Sequence, residues 1–189
     1  MNVALVDPGK REAWARIPTC RAFAQAVTDD LRSISHDLHV ALFCRDKSKA
    51  GPTRDELDHE AQLAASAGFV STERWAGNVA YLRLDTFGPY ADGLDAEGVY
   101  AQRFAEVADA DALILDLRDK FGGYPQMVAL LVSYFVDAKP VHLIDFWDHD
   151  DDSTSQSWTR ANLGSATRFG SKKPIFVLIS KKTISHHLY

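Results

Sequence analysis

Along the first third of the chain the apolar residues keep helical time. Phe23, Val27, Leu31 and Ile34 recur at that spacing behind Pro18 and a Thr19 cap, which predicts a helix over 19–34. "SHDL" (35–38) breaks the period, and "HVALFC" (39–44) reads as a short buried strand. After a charged, turn-rich loop, a second helix is expected over 54–67, with Gly68 where a C-cap would stand. "FVSTERW" and "NVAYLRLDTF" (78–87) then read as strands, the second alternating Tyr81 and Arg83 with Ala80, Leu82 and Leu84 and so burying one face. A helix over 96–108 carries Val99, Tyr100, Phe104 and Val107. "DALILDLR" (111–118) is apolar almost throughout, as a strand covered on both faces would be. Pro125–Val136 predicts an apolar helix, and "VHLIDF" and "PIFVLIS" two further strands. "DHDDDSTSQS" (148–157) reads as an exposed loop. Strands alternating with helices imply an α/β fold with a largely parallel sheet.

Composition narrows the function classes. With 46% hydrophobic residues in 189, the chain has material for a core, and its −5 net charge without a basic run speaks against a nucleic-acid binder. No apolar stretch approaches the ~20 residues of a membrane span. "MNVALVDPGKREAW" has too short an apolar piece for a signal peptide, so a cytoplasmic protein is expected, or a periplasmic or secreted one if a leader precedes it. Cys20 and Cys44 make neither a disulfide framework nor a zinc pattern, and read as small buried hydrophobes.

Three places could carry chemistry. In "DLRDKFGG" a buried strand ends in charge and two glycines precede a helix. Paired glycines let N–H groups face an oxyanion or phosphate, although a plain tight turn has the same look. In "PIFVLISKKTIS" a serine follows a strand, the placement of an exposed nucleophile and equally of a helix cap. In "SISHDLHV" His36 and His39 sit at a helix-to-strand junction. A single general base suits them better than a metal pair, for which no third ligand is evident. The acidic residues around His149 read as a solvated loop rather than a cation site.

Taken in order, "VTDDLRSISHDLHV", "GFVSTERWAGNVAYLRLDTF", "DALILDLRDKFGGYPQMVALLVSYF" and "KKPIFVLISKKTIS" resemble the S41 peptidase family, in its PDZ-lacking branch that includes relatives of interphotoreceptor retinoid-binding protein. The resemblance implies a ClpP/crotonase-like α/β core (39–189) behind an N-terminal helical segment (1–38). It implies a serine-type peptidase acting on peptide or protein substrates without metal or organic cofactor; from charge and hydropathy, as above, no role for nucleic acid or membrane is expected. Ser185 falls on the nucleophile, His39 on the base, and Gly122 or Gly123 with His186 on the oxyanion-hole donors. Lys120 stands where the family pattern has asparagine. The family's downstream acidic or lysine partner is expected after Ser185, where "HHLY" follows instead. The 189-residue chain is therefore expected to be impaired, with Thr183–Tyr189 loosely held and uncovered apolar sheet surface favouring a homo-oligomer. The rival expectation is a non-catalytic binding module for retinoid-like or fatty-acid ligands, with a scaffold or regulatory remnant as a third.

Overall fold

The computed structural model describes residues 8–37, 40–44, 54–88, 91–119, 122–181 and 183. They divide into two compact units, Met1–Pro52 and Thr53–Tyr189.

The first unit holds α1 (Pro8–Ala15) and α2 (Cys20–Ser35). The Thr19 side chain accepts from the Ala22 N–H at 3.3 Å, the cap that the sequence announces. His36 ends α2 in the left-handed region (φ 54°), its N–H donating to Arg32 O. Ala24 and Thr28 are buried one turn apart, and Phe23, Val27 and Leu31 beside them are half-buried. Asp30 accepts from Lys10 Nζ at 2.6 Å and from Trp14 Nε1 at 3.0 Å, tying α1 to α2.

Two expectations fail in this unit. The described part of 39–44 is not a strand: among the described residues no neighbour offers it a ladder, and side chains of α2 take its backbone groups instead. Thr28 Oγ1 accepts from Leu42 N at 2.9 Å and Arg32 Nε donates to Val40 O at 3.1 Å. Nor are the cysteines buried thiols. Cys20, exposed at the head of α2, is joined by a disulfide to half-buried Cys44. The polar bonds that draw 40–44 back along α2 also bring the two sulfurs together, which spacing alone could not reveal.

The second unit is a mixed α/β fold. Its elements are α3 (Arg54–Ala65), β1 (Phe69–Trp75), β2 (Val79–Leu84), α4 (Ala96–Val107), β3 (Ala112–Asp116), α5 (Pro125–Ser133), β4 (His142–Asp148), β5 (Ser153–Trp158) and β6 (Ile175–Leu178). A four-stranded sheet runs β1-β2-β3-β6, with β1 antiparallel to β2 and the other neighbours parallel. Gly68 admits β1: at φ 84° a Cβ there would sit 2.0 Å from Thr86 O. One sheet face buries Ala80, Leu82, Leu84, Leu113 and Leu115 with Tyr100 and Phe104 of α4 and Leu130 and Leu131 of α5. Phe104 stacks on Tyr134 with ring centroids 4.0 Å apart.

α5 stops at Ser133, three residues short of the expected end. There the guanidinium of Arg168 takes the carbonyls of Ser133 and Val136, and the next turn is tightened by Phe135 N–H donating to Val132 O. The acidic tract is not wholly a loop. β4 and β5 pair antiparallel as a separate ribbon, from His142 opposite Trp158 to Asp148 opposite Ser153, leaving only 149–152 as the turn. Its exposure is as expected.

Candidate active site

Because β2, β3 and β6 are parallel, their carboxyl ends share one edge of the sheet, and three chain segments leave the sheet there. The segment after β3 contains Gly122 (φ 88°) and Gly123 (φ 130°). It is bridged to the continuation of β2: Phe87 N–H donates to Gly122 O at 2.9 Å and Tyr124 N–H to Phe87 O at 3.0 Å. A Cβ on Gly123 would lie 2.5 Å from the carbonyl carbon of Phe87, so approach and backbone both require glycine. Among the described residues, no acceptor takes the N–H of Gly122 or Gly123. α5 starts directly behind the turn, with Pro125 at its first position.

The polar face of the sheet supports this edge. Asp116, buried at the end of β3, accepts from Arg118 Nε at 3.0 Å and Nη2 at 2.7 Å, from the Arg118 N–H at 3.0 Å, and from Tyr81 Oη at 2.7 Å. Chiefly through Arg118, these donors hold the Asp116 carboxyl well below the usual carboxylate range. Burial, then the bond to Asp116, pushes the Tyr81 hydroxyl up. Arg83 grips buried Asp85 with two bonds of 2.9 Å and reaches Asp119 at 3.2 Å, which strengthens its hold on its proton. Asp116 is thus a committed structural anion rather than a free base.

The segment after β6 is fastened to the same place. Leu117 N–H donates to Leu178 O at 2.9 Å, Thr183 Oγ1 donates to Leu117 O at 2.7 Å, and Ser180 Oγ donates to Arg118 O. Thr183, expected to be loosely held, is half-buried and bonded.

Of the residues singled out in the sequence, Gly122 and Gly123 stand at the sheet edge. Ser185, His186, His39 and Lys120 lie outside the described residues. His36 is an exposed helix cap. His149 lies in the exposed β4–β5 turn, its ring 5.3 Å from that of Trp147. Sequence reasoning missed the Asp116–Arg118–Tyr81 knot and the Thr183 bonds. The first had a signal: Asp116 and Arg118 are two residues apart at a strand end, as are Tyr81 and Arg83 on β2, so each pair can share a face.

The chain is similar to three solved structures. They are a candidate peptidase from Parabacteroides merdae (18% identity, TM-score 0.44, 66% of this chain and 41% of that one), a candidate S41 protease from Bacteroides fragilis (20%, 0.46, 61% and 32%), and the photosystem II D1 C-terminal processing protease (20%, 0.43, 62% and 29%). It therefore spans less than half the length of each of them. The model of the family described as Peptidase family S41 matches residues 78–187, more than half of the chain, from the start of β2 through the glycine turn and past Thr183. This chain belongs to peptidase family S41.

Proposed function

We propose that this chain carries part of a serine-type peptidase site in a ClpP/crotonase-like core. In this reading the Ser185 hydroxyl oxygen attacks the carbonyl carbon of a peptide bond while His39 takes its proton. The N–H groups of Gly122 or Gly123 and of His186 hold the oxyanion. His39 returns the proton to the departing amine, and water then hydrolyses the acyl-enzyme. The observation that carries the reading is the glycine turn. It lies within the region matched to the family, on the sheet edge where β6 also ends, and its two N–H groups have no acceptor among the described residues. The family match favours peptide or protein substrates over the binding-module reading. The Cys20–Cys44 disulfide supports a working location outside the reducing cytoplasm, periplasmic or secreted.

The test is covalent labelling with a fluorophosphonate, the modified residue being located by peptide mass spectrometry. Slow labelling of Ser185 is expected, absent in Ser185→Ala and at least ~10²-fold slower in His39→Ala, the scale on which a lost general base acts. Labelling that persists in Ser185→Ala, or an unlabelled wild-type chain, would overturn the assignment.

A further inference from the structure

The β3–β6 ladder ends with the bond from Leu117 N–H to Leu178 O. Beyond it, side chains take over. Thr183 Oγ1 donates to Leu117 O at 2.7 Å and accepts from Ser180 N–H at 2.8 Å, so one hydroxyl is used in both directions. Thr183 N–H donates to Ser180 O at 3.0 Å, and Ser180 Oγ donates to Arg118 O. Two consecutive carbonyls at the end of β3 are thereby held by hydroxyls from the segment that follows β6.

The chain on either side of these carbonyls is tied as well. Arg118 is fixed from the other side by buried Asp116, which binds its main-chain N–H and its guanidinium and is itself bound to Tyr81 of β2. Four residues further on, Gly122 is bridged to Phe87. Only 119–121 separate the two anchored points, and Asp119 is itself paired with Arg83.

We propose that Thr183 is a positioning residue: its hydroxyl locks the segment leading to Ser185 onto the end of β3, in register with the Gly122–Gly123 turn. Nucleophile and oxyanion donors would otherwise ride on two separate loops, and misplacement by ~1 Å can lower a rate ~10²-fold. A threonine suits the post because one short side chain both donates and accepts. The inference rests on the nucleophile reading of Ser185 given above.

The experiment compares the unaltered chain with Thr183→Val, which keeps the shape and removes the hydroxyl, and Thr183→Ser, which restores it. Saturation kinetics of fluorophosphonate labelling at Ser185 and amide hydrogen exchange across 117–124 are measured on all three. In Thr183→Val the maximal labelling rate should fall at least ~10-fold, with the half-saturating probe concentration unchanged and exchange across 117–124 faster. Thr183→Ser should return both readouts toward the unaltered chain. A merely local turn-stabilising role would leave exchange at the glycine turn unmoved. If Thr183→Val labels at the unaltered rate, or exchange at 117–124 stays the same, this inference falls while Ser185 keeps its role. If the unaltered chain never labels at Ser185, the nucleophile reading falls and takes this inference with it.

Discussion

The two units solve the problem of holding a chain together by different means. In the Thr53–Tyr189 unit, strand and helix side chains from β1 to α5 converge on one apolar core, with Leu82, Leu84, Leu113, Tyr100 and Phe104 wholly buried. In the Met1–Pro52 unit only Ala24 and Thr28 are buried among the described residues, while Ile34, Leu42 and Phe43 are exposed. What binds the smaller unit is a disulfide, a two-way hydroxyl bond at Thr28 and the Lys10–Asp30–Trp14 link. A few tens of residues cannot remove enough apolar surface from water to cover the entropy of ordering them, and cross-links or polar ties make up the difference. The same contrast recurs inside the larger unit. β2 and β3 are interior strands, whereas among the described residues β6 has a neighbour on one side only, and its Phe176 and Val177 are 59% and 50% exposed.

The largest expected effect falls on the interior strands. Leu113→Ala should destabilise the larger unit by about 2–5 kcal/mol, because the packed core collapses only partly around the missing atoms. Val177→Ala on β6 should change stability by about 0.5 kcal/mol or less, as exposed sites do. Urea unfolding read by tryptophan fluorescence compares the two, and equal losses would break the distinction between interior and edge.

Next comes the disulfide. Reducing Cys20–Cys44, which closes a 24-residue separation, should cost the smaller unit about 3 kcal/mol by loop-closure entropy. Amide exchange should accelerate across 20–35 and leave β2 and β3 unchanged. Loss of protection in both units together would mean that one cooperative core serves the whole chain.

The smallest effect concerns pH. The Asp116 carboxyl titrates below its unfolded value of ~3.9, so the stability it confers is complete above that pH and is lost as acid carries the solution down towards its folded value. Between pH 4 and 2 the wild-type urea midpoint should fall more steeply than that of Asp116→Asn. Parallel curves would show that Arg118 and Tyr81 contribute nothing that depends on the charge.

Local pattern was enough for every element whose partner is the common core. The alternation in "NVAYLRLDTF", the apolar run of "DALILDLR" and the helix behind Gly122–Gly123 could all be read directly, because a side-chain period reports a face and that face meets the core. The Thr19 cap of α2 was legible for a local reason, since its side chain bonds an N–H only three residues on. The glycine pair was legible for a related reason, since only glycine tolerates a positive φ together with the close approach to Phe87. What the pattern could not reveal depended on a partner distant in the chain. "HVALFC" has a strand's composition, yet a strand exists only where another backbone completes its ladder, and Thr28 and Arg32 reached that backbone first. "STSQSW" looks like a loop until β4 lies beside it. Cys20 meets Cys44, Asp116 meets Tyr81, and Thr183 meets Leu117 across separations of 24, 35 and 66 residues. Residue identity along the chain thus determined the faces, the caps and the tight turn. Which polar groups met was decided by the tertiary structure alone, because a hydrogen bond or a disulfide forms only where the fold brings its two ends within about 3 Å.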